Sequence, residues 1–277
     1  MAVDPEVLNF TPPPVESVWK ATAVSRYWHR PVFYGLDNID PEIPCLFVGN
    51  HTLYGLIDTP IMLAEVYKRT GVYYRSLGDH FHFVIPGWGP LVKRLGGVDG
   101  TRENCAALMK SRQHVMVFPG GGREVAKRKD EKCKLVWKNR TGFARMAIEH
   151  GYPILPFATL GADDTYNISY DADDIKSSYL GKLLLKNEKF KELVRGGDLL
   201  MPIGTGAALT LIPKPVRFYY MFGKMIDTTR FAGKSDDLEV QWQLRHEVEE
   251  AVTGMLGELL IKREQDVDKS FLQKLLA

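Results

Sequence analysis

His114-Val115-Met116-Val117-Phe118 runs directly into Pro119-Gly120-Gly121-Gly122-Arg123-Glu124. The first five residues read as one buried strand, because a short apolar run closed by proline and glycine leaves room for little else. The three glycines then form a turn that lets backbone N–H groups approach a ligand and tolerates positive φ. Upstream, Pro44 to Gly49 is a second short apolar run, and it ends in Asn50-His51. Two strands that each end in polar, chemically capable residues make the frame for everything else.

Outward from these two runs, Val72–Leu77, Tyr152–Leu160 and Val216–Ile226 are further strand candidates. Between and beyond them, Val15–His29, Thr59–Thr70, Arg102–Arg112, Thr141–His150 and Asp236–Asp266 carry helical spacing of apolar residues. The last is the longest, with Val240, Leu244, Val248, Val252, Leu256 and Leu259 on one stripe. Strands alternating with helices over this length predict an α/β layered fold. Nothing in the composition forces a split, so residues 1–30 are expected to be a lead-in with an interfacial helix and residues 31–277 a single domain. The run Gly161 to Asp174, with Asp163, Asp164, Asp171, Asp173 and Asp174, reads as a solvated acidic loop. Its spacing fits no calcium-loop pattern.

The 277 residues are 45% hydrophobic and 25% charged, with a net charge of +2. That balance excludes a nucleic-acid partner read from charge, and no nucleic-acid motif is present. Cys45, Cys105 and Cys133 are widely spaced, which implies neither a disulfide framework nor a metal site and fits a reducing, cytoplasmic compartment. Cys45, in an apolar run, is expected to be buried packing. The uncharged stretches Ile43–Ile57 and Leu199–Pro213 are shorter than the ~18–20 apolar residues of a membrane span. If the chain meets a membrane, it is therefore expected to lie on its surface. Trp19 to Tyr34, Phe81 to Val92 and Leu199 to Pro213 are the aromatic or apolar segments suited to such a surface.

His51 stands where catalytic groups gather in α/β sheets, at the end of a strand. A neutral imidazole there can take a proton from a hydroxyl, and a carboxylate that fixes its tautomer improves it. Asp58 is the nearest carboxylate in sequence. On a continuous helix the two would sit ~10.5 Å apart along the axis. Their pairing therefore needs a non-helical turn, which Gly55 permits, while Asp58 also suits the cap of a helix starting at Thr59-Pro60. Arg123 adds a planar charged fork to the glycine turn, suited to an anion or a developing oxyanion. Gly96 to Asn104 is another glycine-rich turn feeding a helix, with Thr101 as its cap and Arg102 near its start. No G-x-S-x-G nucleophile elbow is present, which counts against the usual hydrolase route.

In this order, Asn50-His51 with Asp58, Arg102 after its glycine turn, Phe118-Pro119-Gly121-Arg123 and Ile154-Leu155-Pro156-Phe157 resemble the motif blocks of the glycerolipid and lysophospholipid acyltransferase family. The resemblance covers about Arg30 to Leu160. Two features depart from the family pattern: six residues separate His51 from Asp58, a wider gap than the family's, and Gly120 replaces a glutamate while Glu124 follows the arginine. The second form is similar to the type-2 diacylglycerol acyltransferase and phytyl ester synthase branches.

The resemblance implies an α/β fold with a central, mixed, mostly parallel sheet flanked by helices. It also implies an O-acyltransferase that uses acyl-CoA or an acyl carrier protein thioester as co-substrate, with no metal and no further cofactor. The acceptor would be a lipid hydroxyl, neutral in the branch resembled or phosphate-bearing in the wider family. His51 would be the general base and Asp58 its orienting partner. Arg102, Gly120, Gly121, Gly122, Arg123 and Glu124 would bind substrate or hold groups that do, with the protein peripheral at a membrane surface. A lipid-binding protein that keeps the scaffold without turnover is the alternative.

Overall fold

The computed structural model describes residues 7–268 and Gln273. After α1 (Val15–Ala21) and α2 (Ala23–His29) come β1 (Val32–Tyr34), β2 (Leu46–Gly49), α3 (Asp58–Thr70) and β3 (Arg75–Gly78). Two short helices, α4 (Phe81–Val84) and α5 (Trp88–Arg94), lead to β4 (Val98–Asp99), α6 (Arg102–Lys110), β5 (Val115–Val117) and α7 (Gly121–Val125). Then follow α8 (Gly142–His150), β6 (Ile154–Leu160), β7 (Asn167–Tyr170), α9 (Ala172–Ser177), α10 (Tyr179–Leu184) and α11 (Glu188–Leu193). The described chain closes with β8 (Ile203–Thr205), β9 (Tyr219–Phe222) and α12 (Leu238–Gln265).

Seven strands form one sheet in the order β1-β9-β6-β2-β5-β3-β4, and β7 with β8 forms a separate pair. Within the large sheet every pairing is parallel except β6 with β9. This is the mixed, mostly parallel sheet that the motif resemblance implies. Alternation along each strand divides the core in two. Leu46, Val48, Ile154 and Met221 face α6, α8 and α12, whereas Phe47, Met116, Leu155 and Tyr220 face α3. Strands buried on both faces read as continuous apolar runs, which is why the sequence shows them so plainly. All six residues of the α12 stripe are buried.

The helix expected over Val15–His29 is two helices that meet at Thr22. The Thr22 hydroxyl donates to the carbonyls of Val18 and Trp19, at 3.4 and 3.2 Å, and so competes with the helical ladder at the break. Between β6 and β9 the chain leaves the sheet for a long insertion, residues 161–213. That insertion lies across the strand ends where the motifs sit.

Candidate active site

β2 and β5 are adjacent and parallel, with Leu46, Phe47 and Val48 opposite Val115, Met116 and Val117. Both strands therefore deliver their motifs to the same edge. Asn50 fixes the end of β2: its side chain donates to Thr159 O at 2.9 Å and accepts from Thr159 N at 2.8 Å. It behaves as one more rung of the ladder to β6 and sets the direction in which the chain leaves. The His51 ring then stacks on Phe118, centroids 3.8 Å apart and planes 10° from parallel. Thus the histidine of one motif rests on the first residue of the other.

The turn required after His51 is present. Tyr54 and Gly55 have φ of 61° and 64°, and α3 begins at Asp58. Gly55 is pressed against the imidazole, since a Cβ there would fall 2.3 Å from His51 Cε1. Asp58 is buried as the first residue of α3, one place inside the cap position expected for it. No hydrogen bond joins it to His51 among the described residues. Instead, His51 Nδ1 and Asp58 Oδ1 are both enclosed and both without a hydrogen-bond partner.

Burial sets the protonation states. Loss of water lowers the His51 pKa to about 3, and the charges of Lys127 and His82 push it the same way, so the imidazole is neutral near pH 7. Burial raises Asp58 to about 6, against the pull of the Thr52 hydroxyl and nearby backbone N–H groups. Glu124, fully buried, is raised to about 7, chiefly by desolvation, with Lys127 opposing.

Each glycine of the turn has its own reason. A Cβ at Gly120 would fall 2.3 Å from Glu124 Oε2 and 2.5 Å from Glu124 Cβ, so Gly120 is bare because the Glu124 side chain folds back over it. Gly121 takes φ of +50°. Gly122 lies under Leu199 of the insertion, where a Cβ would be 2.6 Å from Leu199 Cδ2. Glu124 Oε1 accepts from Val136 N at 3.2 Å.

Arg123 does not extend into open space. Its guanidinium is paired two-pronged with Glu131, at 2.9 and 2.5 Å, and is 8% exposed. The arginine that grips the turn from outside is Arg140, which donates to Pro119 O at 2.9 Å and Gly120 O at 2.8 Å. Arg140 was not apparent as a site residue in the sequence. It shares a groove of about 520 Å³ with Arg102, whose floor includes Leu46, Val117 and Phe143 and whose wall includes Phe118 and Pro119. Arg102 is exposed at the start of α6, where the Thr101 hydroxyl caps Asn104 N at 3.2 Å as expected. Phe118 therefore borders the Arg102 groove and also stacks on His51.

Two buried charges behind His51 were also missed. Asp163, read as part of a solvated loop, is 3% exposed and accepts from Leu53 N at 2.7 Å and Cys133 N at 2.8 Å. Lys127 is 1% exposed and stands 3.7 Å from the Asp163 carboxylate, with its ammonium donating to Lys134 O. The acidic loop is thus partly a buried anchor for the segment that follows His51. Among the described residues no group of three or more His, Cys, Asp or Glu is placed to hold a metal.

Comparison with known proteins bears on the fold and the family. Phytyl ester synthase 1, chloroplastic, of Arabidopsis thaliana is 32% identical over 284 residues, covering 98% of this chain and 39% of that protein. The human DGAT1/2-independent enzyme synthesizing storage lipids is 33% identical over 145 residues, covering 52% of this chain and 44% of that protein. The chain thus spans less than half the length of either relative. The crystal structure of the 1-acyl-sn-glycerophosphate (LPA) acyltransferase PlsC from Thermotoga maritima shares the fold, with a TM-score of 0.56 at 18% identity over 88% of this chain and 79% of that one. Residues 30–160 match the family model described as Acyltransferase. That stretch, which holds His51, Asp58, Arg102 and the glycine turn, belongs to the acyltransferase family.

Proposed function

We propose that the chain is an O-acyltransferase that moves a fatty acyl group from an acyl thioester, acyl-CoA or acyl carrier protein, to the hydroxyl of a neutral lipid such as diacylglycerol or a long-chain alcohol. The observation that carries this reading is a neutral His51 stacked on Phe118 at the junction of the two motif strands. His51 takes the acceptor proton as the hydroxyl oxygen attacks the thioester carbonyl. The tetrahedral intermediate then expels the thiolate, the C–S bond breaks, and the thiolate recovers the proton from the imidazolium. Every step is a direct transfer and uses no covalent enzyme intermediate.

Asp58 orients His51 in this scheme. The enclosed Nδ1 and Oδ1 atoms are complementary, a donor and an acceptor that each lack another partner. Ionised Asp58 would also lift the His51 pKa toward the working range of a base. The glycine turn supports the thioester carbonyl, held in shape by Arg140 from one side and Glu124 from the other. A neutral acceptor is supported by Arg123, whose fork is already filled by Glu131. It is supported also by the name of the phytyl ester synthase relative.

A phosphate-bearing acceptor, such as lysophosphatidic acid, is the second reading, favoured by Arg102 and Arg140 in one groove with an apolar floor. The same groove suits the phosphates of the thioester carrier. A labelled acyl-CoA assay with vesicles of diacylglycerol, long-chain alcohol or lysophosphatidic acid separates the two. Ester formed on a neutral acceptor, and lost in His51→Ala, supports the first reading. Ester on lysophosphatidic acid alone selects the second, and binding of lipid with neither acyl-CoA nor acyl carrier protein turned over leaves a lipid-binding scaffold.

A further inference from the structure

Apolar exposure is unevenly spread over this protein. Among the described residues 23 large hydrophobic side chains are exposed, and 11 of them fall between Tyr170 and Ile212, within the insertion that covers the site. Leu209 and Leu211 are 81% and 82% exposed. Behind them, Tyr170 and Ile203 form a cross-strand pair of β7 and β8 with both side chains out.

The tip that carries the leucines is built, and built at a cost. Ala208 and Leu209 have φ of 50° and 61°, a left-handed conformation that costs a non-glycine residue about 1–2 kcal/mol. It is held by Gly206 N donating to Thr210 O and Ala207 N to Ile212 O, both at 2.7 Å. Gly206 admits no side chain, since a Cβ there would fall 1.8 Å from Ile212 O. The base is tied down too: Trp28 Nε1 donates to Pro213 O and the Tyr166 hydroxyl to Leu211 O, each at 2.9 Å. Strain spent on presenting leucines to water has no return within the chain.

The charges nearby choose the occupant. Between Tyr179 and Lys214 there are six Lys or Arg residues against three Asp or Glu. Lys182, Lys186 and Lys189 are exposed, with no ion pair among the described residues. Apolar side chains beside lysines match a bilayer, where the former enter the acyl region and the latter meet anionic headgroups. The same insertion reaches the site, because Pro202 O accepts from the Tyr54 hydroxyl at 2.9 Å and Leu199 covers Gly122.

We propose that the Leu209–Ile212 tip, the Tyr170/Ile203 pair and the apolar face of α10 form a docking surface for anionic lipid bilayers. This deepens the lipid acyltransferase reading and rests on it only for preferring lipid to a protein partner. Docked this way, the protein places the cover of its site against the membrane that holds a lipid acceptor.

Flotation with phosphatidylcholine vesicles, with and without an equal share of phosphatidylglycerol, tests it without any turnover. Wild type and His51→Ala should float alike, and better on the anionic vesicles. Leu209→Asp/Leu211→Asp should partition about 100-fold more weakly on both. Leu238→Asp, exposed at the start of α12 and outside the proposed surface, should not differ from wild type. Should the leucine variant fail to fold, Lys182→Gln/Lys186→Gln/Lys189→Gln gives an independent reading, losing about fivefold per lysine on anionic vesicles alone. Wild type that floats with neither vesicle overturns the proposal, as does a folded Leu209/Leu211 variant that floats unchanged. Lipid-free self-association abolished by the same leucine substitutions would assign the surface to a second copy and overturn it as well. If docking holds while no acceptor is acylated, the enzymatic reading falls and this one stands.

Discussion

Replacing Glu124 by Gln should stabilise the protein in mildly alkaline solution and do nothing for it in acid. Glu124 is fully buried, one carboxylate oxygen has no hydrogen-bond partner, and burial lifts its pKa from 4.5 to about 7. A carboxyl whose folded pKa is raised favours the folded state when protonated. That contribution is complete below about pH 4.5 and is lost as the pH rises through about 7. Above pH 7 the folded protein must hold a buried carboxylate, at a cost of roughly 3 kcal/mol relative to the neutral form. Gln keeps the shape and the acceptor for Val136 N but never ionises. Urea denaturation at pH 5 and pH 8 is the assay. The Gln variant should match wild type within about 1 kcal/mol at pH 5 and exceed it by roughly 3 at pH 8, about 6 °C in Tm for a chain of this size. The Asp58 titration is common to both proteins and cancels in the difference. A gap that does not change with pH would refute the reasoning. So would a Gln variant less stable at pH 8, which would mean that Lys127 holds Glu124 ionised as an ion pair.

Three other outcomes follow from the same geometry. Gly120→Ala should destabilise by about 2–3 kcal/mol in chemical denaturation, because its Cβ would meet Glu124 Cβ at 2.5 Å as well as the mobile carboxylate. Glu131→Gln should cost about 2 kcal/mol by leaving the largely buried Arg123 half-paired, and the loss should appear in denaturation whether or not acceptor binding changes. In the acyl-transfer assay, kcat/KM should fall about tenfold per pH unit below about 6 as Asp58 takes up a proton, and Asp58→Asn should lose that acid limb together with most of the rate.

The fold was legible where both faces of an element are buried. Val115 to Val117, Leu46 to Gly49 and Ile154 to Leu160 read as strands because nearly every position on them is buried and apolar. The α12 stripe was legible for the opposite reason, since one face alone is buried. Thr22 was not, because its effect is a local contest between a hydroxyl and two carbonyls, and helical spacing carries no trace of it. Phe81 to Val92 likewise folds into two short helices around Pro86 and Gly87, where apolar content gave no period to follow.

At the site, sequence shows which residues carry charge but not which charges are already spent. Arg123 and Asp163 make the point from opposite sides. Arg123 stands in a motif and reads as a ligand-binding fork, yet Glu131 occupies both prongs. Asp163 stands in an acidic run and reads as solvated, yet it accepts two backbone N–H groups and faces Lys127. Asp163 follows β6 while its partners follow β2 and β5, so the strand order β6-β2-β5 brings the three segments together. With the ion-paired charges set aside and Arg140 bound to the turn carbonyls, what remains is Arg102, in the groove lined in part by Phe118, and a neutral His51 stacked on that residue's ring. A cation in the groove and a base against the Phe118 ring suit a substrate pair in which the charged carrier and the reacting hydroxyl approach from different directions. Arg102→Ala should therefore raise the KM for the acyl thioester severalfold and leave the KM for a neutral acceptor unchanged. If the acceptor KM alone rises, the groove holds the acceptor, and the two substrates exchange places around Phe118.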